Sequence, residues 1–164
     1  MKHVLLLSTL VLIIFVLTLT AASRRSRVKE NIEAGMEAQP QVEYSSAKST
    51  ASRSFSDVVR VGNTLYLAGK LGADSSGKLA PGGITAETKQ ALENIKAVLA
   101  SNGSSIDNVV KSTVMLADMK EWADMNSVYT TFFKKDRMPA RSAFGVTGLA
   151  LNALVEIECI ATVK

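Results

Sequence analysis

Two runs rich in β-branched and aromatic residues, Phe55–Val61 and Thr64–Gly69, are separated by Gly62 and Asn63 alone. So short a gap makes the chain reverse at once, and Gly next to Asn supplies the left-handed backbone that a tight hairpin needs. Everything downstream must therefore build on an antiparallel sheet. Residues 72–83, with Asp74-Ser75-Ser76-Gly77 and Pro81-Gly82-Gly83, read as a loop. Thr85 then caps a helix carrying Ala91, Leu92, Ile95, Val98 and Leu99 at helical spacing, closed by Asn102-Gly103. Val109–Leu116 returns as a strand. Asp118 with Glu121 forms a capping box for a second helix, whose stripe of Trp122, Met125, Val128, Tyr129 and Phe132 is expected to be buried. Residues 140–146 and 154–163 are the last strands. The order β-β-α-β-α-β-β predicts an α+β fold, one sheet with two helices on one face. The other face is left bare, so self-association is expected.

The chain ends are a separate matter. Val4–Ala22 is an almost unbroken apolar run behind Lys2 and His3, long enough at ~1.5 Å per residue to reach across most of a bilayer core. It reads as a signal peptide or a membrane anchor over residues 1–22. The protein is then expected to be exported, periplasmic or secretory, or held at the membrane by residues 4–22. Residues 23–41 have the composition of a polar linker, and residues 42–164 are expected to form the domain. A domain of about 140 residues supports its own core without disulfide or metal.

Composition removes whole classes of chemistry. The single histidine is His3, inside the apolar leader, so the domain has neither a histidine-based nucleophile system nor a histidine-ligated zinc site. The single cysteine, Cys159, excludes an internal disulfide and a Cys-x-x-Cys pair. No metal and no cofactor is expected. A net charge of +4 with 5% aromatic residues is poor material for a nucleic-acid face, so no nucleic-acid partner is expected. Carboxylates, Arg, Lys, hydroxyls and backbone dipoles are what is left.

Val155-Glu156-Ile157-Glu158-Cys159 alternates, placing both carboxylates on one face of the final strand. They either decorate a solvated face or, if a subunit covers it, must find a cation or a proton. Arg141, after Met138-Pro139-Ala140, is expected at the start of the strand neighbouring the last one. Its planar fork suits a carboxylate ligand, and a structural ion pair is the alternative. Cys159 and Trp122 read as core residues, and Gly82-Gly83 as a turn, for it lacks the Lys of a phosphate loop.

Val61-Gly62-Asn63-Thr64-Leu65-Tyr66, Gly82-Gly83-Ile84, Gln90-Ala91-Leu92-Glu93-Asn94, Asn108-Val109-Val110-Lys111-Ser112-Thr113-Val114, Leu116-Ala117-Asp118, Pro139-Ala140-Arg141-Ser142 and Val155-Glu156-Ile157-Glu158, in this order, closely resemble the RidA/YjgF/UK114 family of enamine and imine deaminases. The resemblance implies a chorismate-mutase-like homotrimer with active sites between subunits. It implies hydrolysis of 2-imino or enamino acids to 2-oxo acids and ammonia, so a small 2-imino or 2-oxo acid is the partner. By the same resemblance Arg141 binds the substrate carboxylate and Glu156 positions or activates the water, while Phe55, Gly69, Asn126 and Ala143 line the substrate. Phe55, Lys70 and Ala143 stand where the family carries Tyr, Gln and often Cys. Phe55 and Lys70 keep open a non-catalytic trimer that binds small carboxylates or a protein partner; the endoribonuclease activity ascribed to the family is a further alternative, which the lack of a basic, aromatic-rich face opposes.

Overall fold

The hairpin forms as its turn demands. Val61 pairs with Thr64 across Gly62-Asn63, and Gly62 takes a φ of 56°, where a side chain would be strained. The computed structural model describes residues 23–29, 40–45 and 54–163. Within the compact unit Pro40–Lys164 the elements are β1 (Val42–Ser45), β2 (Val58–Val61), β3 (Thr64–Leu71), α1 (Gly83–Ser101), β4 (Val109–Leu116), α2 (Trp122–Tyr129), β5 (Ala140–Gly145) and β6 (Val155–Thr162). The six strands make one sheet in the order β1-β2-β3-β6-β4-β5, all neighbours antiparallel except the parallel pair β4 and β5. This is the expected α+β, chorismate-mutase-like architecture, with β1 as an additional edge strand.

The core lies between the sheet and the helices. Leu92, Ile95 and Leu99 of α1 are fully buried against Leu65, Val114, Val155 and Ile157 from the sheet, the long-range apolar contact that holds a domain of this size. Helix α1 begins at Gly83, two residues before the expected Thr85 cap. It closes as expected at Asn102-Gly103, where Gly103 at φ 73° lets Ser104 N–H reach back to Leu99 O. Asp118 accepts from Lys120 N–H and caps a single 3-10 turn, Met119–Glu121, that leads into α2. Met125 and Tyr129 are buried as the spacing predicts, but Trp122 is 38% exposed, and Phe133 rather than Phe132 is the buried ring of the next turn.

Within the unit Pro40–Lys164, none of the described helices packs on the opposite face. Pairing places Tyr44, Val59, Tyr66 and Ile160 in one row across β1, β2, β3 and β6. Glu156, Met115 and Phe144 form another across β6, β4 and β5. Tyr44, Tyr66 and Phe144 are exposed there.

The membrane expectation needs correction. Among the described residues no helix is long and apolar enough to cross a membrane. Among those residues the helix with the length, α1, carries Glu87, Lys89, Glu93 and Lys96, and residues 4–22 lie outside the described residues. Residues 23–29, expected as linker, are helical, with every side chain exposed. The signal peptide, the membrane anchor and the exported or membrane-held location inferred from them are therefore set aside.

The turn into β6 is strained. Leu151 and Asn152 both adopt positive φ, 61° and 59°. Asn tolerates this region, whereas for Leu it costs roughly 1–2 kcal/mol. Leu151 is 57% exposed, so truncation loses little packing. Leu151→Gly is thus expected to stabilise the protein by about 1 kcal/mol after glycine's entropic cost, seen as a rise of a few degrees in Tm; a fall in Tm would show that the exposed leucine packs on something.

Candidate active site

The predicted site residues fall into two groups on opposite faces of the sheet. Arg141 and Ala143 lie on β5 in register with Ser112 and Val114 of β4, whose side chains are fully buried under the helices. Both residues therefore face the helix side. Ala143 packs on the edge of the core. The guanidinium of Arg141 stands over the Tyr129 ring, 4.5 Å from its centroid, and 5.7 Å from that of Trp122. Asn126 occupies the same stripe of α2, one turn after Trp122 and one before Tyr129. Among the described residues Arg141 forms no ion pair with any acid.

Glu156 and Gly69 form the second group. Val155, Ile157 and Cys159 point into the core, so the alternation of β6 sends Glu156 and Glu158 to the open face as expected. The Glu156 carboxylate lies over Gly69 on β3, with Oε1 in the space a Cβ there would fill. Only glycine permits that approach. Phe55 is exposed in the bend before β2. Two residues on, Asp57 is paired with Lys70, the neighbour of Gly69, at 2.5 Å, both side chains largely buried. That pair ties the segment bearing Phe55 to the strand bearing Gly69.

The expected adjacency of Arg141 and the final strand is not found. Strand β4 runs between β5 and β6, and Arg141 and Glu156 occupy opposite faces. The structure thus joins Arg141 with Ala143 and Asn126, and Glu156 with Gly69, without joining the two sets inside one chain. Cys159 is a core residue, its thiol pushed up to about 12 chiefly by burial, which leaves it inert. Among the described residues no cluster of His, Cys, Asp and Glu could hold a metal ion.

Tyr129 and the exposed Trp122 are the members of this site that sequence reasoning filed as core. Their spacing, i and i+7 on one helix stripe, is equally that of a surface that meets the side chain of an adjacent strand; the parallel pairing of β5 with β4 decides between the two.

Comparison with known proteins identifies the family of the chain. The family model described as Endoribonuclease L-PSP matches residues 45–163. The chain is 45% identical over 108 residues to mouse 2-iminobutanoate/2-iminopropanoate deaminase, covering 65% of this chain and 79% of that one. It is 40% identical over 114 residues to the protein of Saccharomyces cerevisiae named Protein MMF1, mitochondrial, covering 70% and 78%; these names give no support to export either. The crystal structure of RidA from an Antarctic Psychrobacter superposes with a TM-score of 0.65 at 35% identity, over 77% of this chain and all of that one. With the family's matched span reaching from β1 to the end of β6, the chain belongs to the Endoribonuclease L-PSP family, the RidA/YjgF/UK114 proteins.

Proposed function

We propose that this protein hydrolyses reactive 2-imino and enamino acids to 2-oxo acids and ammonia, in sites completed between neighbouring copies of a homotrimer. The observation that carries the reading is an arginine with no acid partner among the described residues, resting on aromatic faces with its donors unspent. A guanidinium so held is prepared for a carboxylate from outside the chain. The 45% identity to a protein named for this reaction supports the same activity.

Glu156 cannot reach Arg141 within one chain, and the sheet face on which Tyr44, Tyr66 and Phe144 are exposed is apolar surface suited to another copy. Assembly through that face would bring the Glu156–Gly69 group of one copy to the edge strand β5 of the next. There Arg141 holds the substrate carboxylate. Glu156 takes a proton from a water as its oxygen bonds to C2. The resulting carbinolamine loses ammonia after proton transfer to nitrogen, leaving the 2-oxo acid. The imine carbon is already electrophilic, so placement and proton transfer suffice.

The family description names a ribonuclease. Glu156 and Glu158 on the open face repel phosphate, which disfavours a polyanionic strand at this site. The test is release of 2-oxo acid from freshly generated 2-iminobutanoate by the full chain, with ammonia in equal amount. Binding of 2-oxobutanoate without turnover of any imine would favour a non-catalytic carboxylate binder instead.

Gly69→Ala is a local probe of the water-positioning group. Its Cβ would displace the Glu156 carboxylate, the movable end of a flexible side chain, so the fold should survive. We expect kcat to fall on the order of tenfold to a hundredfold with circular dichroism unchanged. Unchanged kcat would mean that Glu156 is not held where the reaction needs it.

A further inference from the structure

We infer that Tyr129, fixed by Ser112, is a positioning residue for substrate binding, its ring serving as the shelf that holds the Arg141 guanidinium in place of an acid partner and so leaves the arginine's fork open to a ligand carboxylate. This deepens the reading above and rests on it for the identity of the ligand.

Three contacts close on one another. Ser112 of β4 is the register partner of Arg141 on β5. Its hydroxyl, fully buried, lies 2.5 Å from the Tyr129 hydroxyl. The Tyr129 ring, 2% exposed, then lies under the Arg141 guanidinium. Phe133 packs beside that ring at 4.7 Å between centroids, tilted by 38°. The ring is fixed at its hydroxyl and along one side, and its free face meets the cation.

An aromatic face suits this task better than a carboxylate. A paired acid would occupy the N–H donors that a substrate needs and would compete with it for the charge. A ring attracts the cation through its π face and takes no donor. The attraction is to a neutral phenol: burial pushes the Tyr129 hydroxyl up, against smaller downward pulls from Ser112 and Arg141. Trp122, 38% exposed, flanks the same guanidinium at the solvent edge, its ring centroid 5.7 Å away.

Trp122 is the chain's one tryptophan, so its fluorescence reports ligand arriving at Arg141. The test titrates 2-oxobutanoate into the full chain by that signal and follows imine hydrolysis in parallel. Tyr129→Leu is expected to raise the Kd for 2-oxobutanoate and KM for the imine on the order of tenfold, the size of one desolvated cation–π contact, with kcat within about twofold. Tyr129→Phe keeps the ring but loses the Ser112 hydrogen bond, so both Kd and KM should rise by only about threefold. Wild-type Kd and KM in Tyr129→Leu, or a fall in kcat at constant KM, would overturn the proposal.

If Tyr129→Leu does not fold, Ser112→Ala releases the ring with little loss of volume; a Kd raised about threefold supports the shelf and an unchanged Kd overturns it. Failure of this proposal is distinguishable from failure of the deaminase reading. Turnover by the wild type with no shift in Kd or KM removes the shelf alone. A shifted Kd with no imine turnover removes the deaminase alone, and a wild type that binds no 2-oxo acid overturns both.

Discussion

Arg141→Ala is expected to lower kcat/KM for 2-imino acid hydrolysis on the order of 10³-fold. A hydrogen bond to a charged group contributes about 1.5–3 kcal/mol, or roughly ten- to a hundredfold, and a bidentate pair lies at the upper end. The same contact fixes the imine carbon relative to the water, and misplacement by about 1 Å costs a further factor of up to ~10². The fold does not depend on it: the side chain is only half buried and forms no ion pair among the described residues, so Tm should move little. Arg141→Lys should recover part of the loss and remain at least about tenfold below wild type, since an ammonium gives a point charge where the site presents a planar fork. Steady-state kinetics on freshly generated 2-iminobutanoate decide the matter, and wild-type kcat/KM in Arg141→Ala would remove the mechanism.

Local features of this chain are legible because they are carried by neighbouring residues. Val61-Gly62-Asn63-Thr64 contains its hairpin, Asn102-Gly103 its helix stop, and the alternation of residues 155–159 sends Glu156 and Glu158 to one face and Cys159 into the core. What depends on distant pairing is not legible in the same way. Nothing near Arg141 says that β4 will insert between β5 and β6, since strand order is set by how the whole sheet covers the helices. Strand β1 alternates as Val42-Glu43-Tyr44-Ser45, but four residues are too short a run to mark a strand by themselves, and it forms on the edge that β2 offers. Trp122 fits a core stripe by spacing, yet it is 38% exposed and flanks the Arg141 guanidinium. Leu151 in a left-handed conformation breaks the local preference that sequence reading relies on. The site residues themselves were named through resemblance; their division between two faces of the sheet comes from the topology.

That division makes the second large effect the more informative one. Glu156→Gln is expected to reduce kcat by about 10²–10⁴-fold, the span for losing a positioned general base, while 2-oxobutanoate binding stays within about threefold. The amide keeps the shape over Gly69 but has no basic oxygen pair to accept the water's proton. Glu158→Gln, on the same face and exposed, should change kcat by less than about twofold and serves as the control. A stronger test follows from mixing the two inactive proteins. If each site takes Arg141 from one copy and Glu156 from the next, trimers reassembled from equal amounts of Arg141→Ala and Glu156→Gln chains regain intact sites wherever a Glu156→Gln chain lends its arginine to an Arg141→Ala chain's glutamate. Random assembly around a three-fold ring gives about one such site in four, so activity should return to about a quarter of wild type. No recovery on reassembly would mean that both residues of a working site come from a single chain, which the opposite faces of this sheet forbid without refolding β4, and the shared-site mechanism would have to be abandoned.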